Sequence, residues 1–152
     1  MRPAPDFALP DQTGTVRKLA DFAGKWLILY FYPQDDTPGC TTEACEFRDD
    51  YDTLQAKDLQ VVGVSKDSVK SHVKFAEKYH LNFPILSDEP HAVIEAYGAW
   101  GDKKLFGVGF EGTIRSTFLI NPDGQIVKEY PKVTPKGHSA QLLADFEALN
   151  QP

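Results

Sequence analysis

The chain has 152 residues, with 16 Lys plus Arg against 22 Asp plus Glu and a net charge of −6 with His neutral. Its 41% apolar and 12% aromatic content suffices for a packed core, and the length is that of one domain over 1–152, since a single core typically serves ~100–200 residues. The acidity argues against a nucleic-acid-binding face, no apolar run reaches the ~20 residues that span a bilayer, and the opening MRPAPD lacks the apolar centre of a secretory signal. The expectation is a soluble, cytoplasmic protein.

The first clear element is Trp26 to Tyr32, a continuous apolar and aromatic run between Gly24 and Pro33. Such a run predicts a strand covered on both faces. Thr41 to Lys57 carries Ala44, Phe47, Tyr51 and Leu54 at spacings of three and four, one apolar helical stripe. Leu59 to Val64 predicts a second strand, and Ser68 to Tyr79 a helix with Val69, Val73 and Ala76 on one side. Phe83 to Leu86 predicts a short strand and His91 to Tyr97 a short helix. Ile114 to Ile120 and Gln125 to Tyr130 predict strands joined by Asn121-Pro122-Asp123-Gly124, with Pro at the second position of a turn. Ser139 to Leu149 predicts a closing helix. This order implies an α/β fold with a mixed sheet between helical layers. Chemistry in such folds gathers where a central strand gives way to a helix, here between Tyr32 and Thr42.

Both cysteines, Cys40 and Cys45, lie at or just beyond that junction. Two are too few for a disulfide scaffold. His72, His80, His91 and His138 are scattered, with no second closely spaced ligand pair for zinc. No metal or cofactor is expected. Thr37 is an N-cap candidate, and Pro38 fits the first helical position. Cys40 then falls in the first turn, where free amides and the positive end of the helix dipole favour thiolate over thiol. The first turn alone supplies too little, so hydrogen bonds and a cation are needed as well.

Pro33, Thr37 and Cys40 fit the Pro-x-x-x-Thr-x-x-Cys motif, and the run Phe31 to Cys45 resembles the bacterioferritin-comigratory-protein branch of the peroxiredoxins, also called peroxiredoxin Q. Ala4 to Phe7 resembles that family's opening strand, and Tyr97 to Gly101 and Arg115 to Ile120 resemble later blocks. The resemblance implies a thioredoxin-like fold, thiol peroxidase activity, peroxide substrates, thioredoxin or a similar dithiol as reductant, and a monomer. By position, Cys40 matches the peroxidatic cysteine and Cys45 the resolving one, which would form an intramolecular disulfide. Thr37 matches the residue that holds sulfur and peroxide, Arg115 the distant arginine beside the thiolate, and Pro33 the shield over the sulfenic acid.

A spacing of five has a geometric consequence. In an ideal helix such residues have Cα atoms ~8.7 Å apart, whereas a disulfide needs roughly 4.4–6.8 Å. Oxidation is therefore expected to unwind the first turns of the helix over Thr41 to Asp49, where Gly39, Thr41 and Thr42 lower the helix preference. Asp35 and Asp36 are expected to be solvated and to point away from Cys40, Glu43 to be a solvated first-turn charge, and the four histidines to be ordinary surface or partly buried residues. Cys45 as simple packing, Thr37 as only a cap and Arg115 as a surface-strand ion pair stay open, as does a non-catalytic redox sensor or chaperone-like partner using the same cysteine oxidation. A thiol–disulfide oxidoreductase is disfavoured because that chemistry usually uses Cys-x-x-Cys.

Overall fold

The computed structural model of the chain describes residues 1–105 and 108–149. Its strands are β1 (Arg2–Pro3), β2 (Ala8–Pro10), β3 (Val16–Lys18), β4 (Trp26–Phe31), β5 (Leu59–Ser65), β6 (Ile85–Ser87), β7 (Trp100–Leu105), β8 (Val108–Thr113), β9 (Ser116–Ile120) and β10 (Gln125–Tyr130). Its helices are α1 (Pro38–Asp49), α2 (Tyr51–Ala56), α3 (Val69–Tyr79), α4 (Ala92–Ala96) and α5 (His138–Leu149).

Six strands form one mixed sheet in the order β1-β10-β9-β4-β5-β6. β4 runs parallel to β5, and β5 to β6. β9 is antiparallel to both β4 and β10, and β1 is antiparallel to β10. Alternation along β4 divides the core in two. Ile28, Tyr30 and Tyr32 meet Ala44 and Phe47 of α1, Leu54 of α2, Phe75 of α3, and Leu142 and Phe146 of α5. Leu27, Leu29 and Phe31 meet Ile94 of α4, Tyr97, Phe118, Phe7 and Phe22. Four helices thus cover one face, while α4 and the N-terminal segment cover the other. Both parallel crossovers step the same way along the sheet, so their common handedness puts α1 and α3 on the same side. Gly63 lies opposite Tyr30 in the ladder, and a Cβ there would come 2.8 Å from the tyrosine ring.

The expected helix Thr41 to Lys57 is two helices. Asp50 sits at φ −92°, ψ 3°, and its carboxylate accepts from Ser139 Oγ at 2.8 Å, so a tertiary tie bends the chain where the apolar stripe continues. Ile114 and Arg115 precede β9 rather than belonging to it. Ala4 to Phe7 is not a strand. Ala4 N donates to the Gly124 carbonyl and Tyr97 Oη to the Pro5 carbonyl, while Pro3 and Pro5 have no amide hydrogen with which to extend a ladder. Two hairpins lie outside the large sheet, β2–β3 and β7–β8. At the free edge of β6, the Gln12 side chain donates to the Phe83 carbonyl at 3.0 Å and accepts from Ile85 N at 2.9 Å. Among the described residues, no helix is long and apolar enough to cross a membrane.

Candidate active site

β4 is flanked on both sides by β9 and β5, so its C-terminal end is fixed in the middle of the molecule. The ladder continues one residue further, with Tyr32 N donating to the Val64 carbonyl. Pro33 then ends it, and the chain turns through Asp36 at φ 55° into α1. Cys40 is 1% exposed. Arg115 comes from the link between β8 and β9, where its carbonyl accepts from Val133 N at 3.0 Å. Its guanidinium forks: Nη2 donates to Cys40 Sγ at 3.2 Å and Nη1 to Glu43 Oε1 at 2.8 Å. Gly39 is required for this approach, because a Cβ would meet Arg115 Nη2 at 3.1 Å and Pro135 Cγ at 3.2 Å.

Glu43 corrects an expectation. It is buried, not solvated, and lies one turn after Cys40, so both side chains fall on one face of α1. Burial pushes its carboxyl up to about 7, Arg115 pulls it back through charge and hydrogen bonding, and Glu46 adds a smaller upward push. Its Oε2 has no hydrogen-bond partner. Burial works against the Arg115 charge, but Cys40 and Glu43 together hold the guanidinium above its ordinary range. The spacing of three from Cys40 was the available signal for Glu43; its charge made it read as surface.

Thr37 occupies the N-cap position with extended backbone, and its carbonyl accepts from Thr41 N at 2.8 Å. Its hydroxyl does not cap the helix. It donates to the Gln34 carbonyl at 2.8 Å, which leaves the oxygen lone pairs unused by that bond. Pro33, Ile114, Arg115 and Val133, with Lys103 and Lys132, line a cavity of about 530 Å³. Lys103 Nζ is anchored on the Thr113 carbonyl at 2.8 Å; burial lowers its basicity and the Arg115 charge lowers it further, against the opposite pull of Cys40. Cys45 is half-buried, and both cysteines are free thiols. Burial pushes the Cys45 thiol up, Arg48 draws it back and Asp49 adds to the rise. Arg115 thus meets Cys40 directly and shares a cavity with Pro33, while the Thr37 hydroxyl is turned to Gln34 and Cys45 lies further along α1.

Asp35 also departs from expectation. It points away from Cys40 but is buried, accepting from Tyr32 Oη at 2.6 Å, from Ser71 Oγ at 2.7 Å and bonding His72 Nδ1 at 2.6 Å. His72 is fully buried, and its Nε2 faces the Leu86 carbonyl at 2.9 Å. Both ring nitrogens of His72 are thus engaged, one by the carboxylate and one by the Leu86 carbonyl. His138 is buried as well, bonded through Nε2 to Thr117 Oγ1. Ligand atoms of Asp35, Asp67 and His72 lie within 4.8 Å of one another. They already bond each other and their neighbours, with Asp67 Oδ2 taking Ser65 Oγ and Asp35 N, so the group is an internal network holding the loop before Thr37. Asp36 is exposed and pairs with Lys78 and Tyr79.

This arrangement has close counterparts. Residues 1–129 match the AhpC/TSA family. The chain is 45% identical over 148 residues to peroxiredoxin Bcp of Bacillus subtilis, covering 97% of this chain and 94% of that protein. It superposes on the bacterioferritin comigratory protein of Xanthomonas campestris, studied for its alkyl peroxide reduction activity, with a TM-score of 0.90 at 39% identity, covering 95% of this chain and 92% of the other. A cysteine-to-serine variant of Xylella fastidiosa PrxQ gives a TM-score of 0.91 at 34% identity over 99% and 98% of the two chains. A thioredoxin-like α/β frame, an arginine fork on a buried helix-start cysteine, and relatives matched over nearly their whole length agree: the chain belongs to the AhpC/TSA family, among the peroxiredoxins of the Bcp and peroxiredoxin Q type.

Proposed function

We propose that the chain is a one-domain, cytoplasmic thiol peroxidase in which Cys40 attacks hydroperoxides and Cys45 resolves the product. The observation that carries this is the Arg115 fork, which sets a fixed cation 3.2 Å from a buried sulfur at the start of a helix. The Cys40 thiolate attacks one peroxide oxygen. The O–O bond breaks, the sulfur gains one oxygen as sulfenic acid, and the departing oxygen takes a proton and leaves as alcohol or water. Arg115 and the Thr37 hydroxyl hold the peroxide oxygens in line, and Pro33 walls the sulfur from solvent.

The cavity of about 530 Å³ beside Arg115 far exceeds hydrogen peroxide, a molecule little larger than water with its share of ~30 Å³. Its Ile114, Val133 and Pro131 lining, set among Asp102, Lys103 and Lys132, suits an organic hydroperoxide as well as hydrogen peroxide. Cys45 then condenses with the sulfenic acid, forming the Cys40–Cys45 disulfide and releasing water. Burial lifts the Cys45 thiol, and unwinding of α1 relieves that burial as it brings the sulfurs together. A thioredoxin-type dithiol restores both thiols by exchange.

The test compares wild type, Cys40→Ser and Cys45→Ser for peroxide consumption with a thioredoxin system and for intact mass after oxidation. Wild type should turn over and lose about 2 Da on forming the disulfide, and Cys45→Ser should hold a sulfenic acid at about +16 Da. Turnover retained by Cys40→Ser refutes the assignment.

A further inference from the structure

The segment that carries both cysteines, 36–48, rests at its two ends on one residue. Tyr79 is the last residue of α3. Its hydroxyl donates to Asp36 Oδ1 at 2.7 Å, and its carbonyl accepts from Arg48 Nη1 at 2.6 Å. Neighbours reinforce each end: Lys78 Nζ bonds Asp36 Oδ2 at 2.8 Å, and Asn82 Nδ2 donates to the Arg48 carbonyl at 3.3 Å. The Tyr79 ring is fixed edge-on against Phe75, with centroids 5.5 Å apart. Just outside the segment, Asp35 is held by Tyr32, Ser71 and His72.

The middle of the segment is built differently. Gly39 and two threonines are poor helix formers. Thr42 Oγ1 bonds back to the Pro38 carbonyl at 3.0 Å, a contact that weakens a helix slightly. The part that must rearrange to join Cys40 to Cys45 is therefore weak, and its ends are anchored on α3.

We propose that Tyr79 is a positioning residue, a staple across the cysteine segment that sets how often the Cys40 sulfenic acid reaches Cys45 before a second peroxide reaches it. This rests on the disulfide reading above. The sulfenic acid has two outcomes. Condensation with the Cys45 thiol forms an S–S bond, releases water and needs α1 open. Attack on a second hydroperoxide moves one more oxygen to sulfur, releases alcohol or water, and needs the site closed around Arg115 and Thr37. A contact present only in the closed form favours the second outcome.

Tyr79→Phe keeps the ring and its packing on Phe75 and deletes the hydroxyl bond. The loss of one exposed hydrogen bond corresponds to an increase of about threefold in opening. The peroxide concentration that overoxidises half the enzyme in one turnover, read as a mass gain of about 32 Da, should rise by about that factor. Asp36→Asn, which tolerates the positive φ, should shift it in the same direction. Asp36→Asn also loses the Lys78 ion pair, and because both variants strike the Tyr79–Asp36 bond the double variant should shift it no further than the larger single one. The reduced protein, which holds the same bond, should lose folding stability by no more than that factor of about three. Tyr79→Phe overoxidising at or below the wild-type concentration, the two effects multiplying, or a loss of folding stability well beyond that factor would each overturn the staple. A wild type that forms no intramolecular disulfide overturns the underlying reading instead, and the intact mass of the wild type alone reports that.

Discussion

Replacing Arg115 with Met separates its catalytic work from its structural work. The guanidinium bonds both Cys40 Sγ and Glu43 Oε1, and Met retains most of the volume. A hydrogen bond to a charged group contributes about 1.5–3 kcal/mol, so the rate constant for Cys40 oxidation should fall about 10- to 150-fold. The structural cost follows Glu43. Burial holds its carboxyl at about 7 against an ordinary 4.5, so the folded state binds this proton more tightly than the unfolded one. Stability from that proton is fully present below about pH 4.5 and is lost as pH rises toward 7, about 3 kcal/mol in all. Without Arg115 to draw it down, the Glu43 carboxyl moves further up and the loss continues beyond pH 7 at about 1.4 kcal/mol per pH unit. Denaturant unfolding should therefore show a penalty for Arg115→Met that is larger by about 2 kcal/mol at about pH 8.5 than at about pH 6. Arg115 also lowers the basicity of His138, which burial lowers first, so its removal relieves that group at about pH 6 and adds to the difference in the same direction. An oxidation rate within about twofold of wild type, or an equal penalty at both pH values, refutes this account.

Gly39→Ala should uncouple stability from activity. Alanine favours a helix by up to about 1 kcal/mol over glycine, yet its Cβ would press on Arg115 Nη2 from 3.1 Å. Melting should hold or rise while peroxide kcat/KM falls about fivefold, through loss of part of one charged hydrogen bond; unchanged kinetics would show that the guanidinium retreats without consequence. His72→Leu removes one of three side-chain partners of the buried Asp35 carboxylate, leaving Tyr32 and Ser71, at a cost of about 1–3 kcal/mol. The double variant Asp35→Ala/His72→Leu should cost less than the two single variants added together, and strictly additive losses in denaturant unfolding would contradict the pairing.

The central strand and the β9–β10 hairpin were legible because they are apolar runs bounded by Gly, Pro or the Asn-Pro-Asp-Gly turn. The helix start at the cysteine junction was legible from Thr37 at the N-cap position and Pro38 at the first helical one. The β7–β8 hairpin was not: Gly101, Asp102, Gly109 and Glu111 break any alternation, and Val108 and Phe110 remain exposed, so pairing rather than burial defines it. The buried charges were missed for a related reason. Glu43, Asp35 and His72 occupy the interior only because Arg115, Tyr32, Ser71 and each other satisfy them, and those partners are 3 to 72 residues away. The break at Asp50 likewise depends on Ser139, from the other end of the chain.

The clasp of Gln12 on β6 has a consequence for survival under oxidative load. An unpaired sheet margin invites another chain to add a strand and begin aggregation. Here the carboxamide acts as a one-residue false strand, occupying the Phe83 carbonyl and the Ile85 amide. The opposite margin is closed by a two-residue strand ending in Pro3, which has no hydrogen to donate. If α1 loosens in each turn of the proposed cycle and draws Phe47 with it, the six-stranded sheet still offers no raw border for neighbours to zip onto.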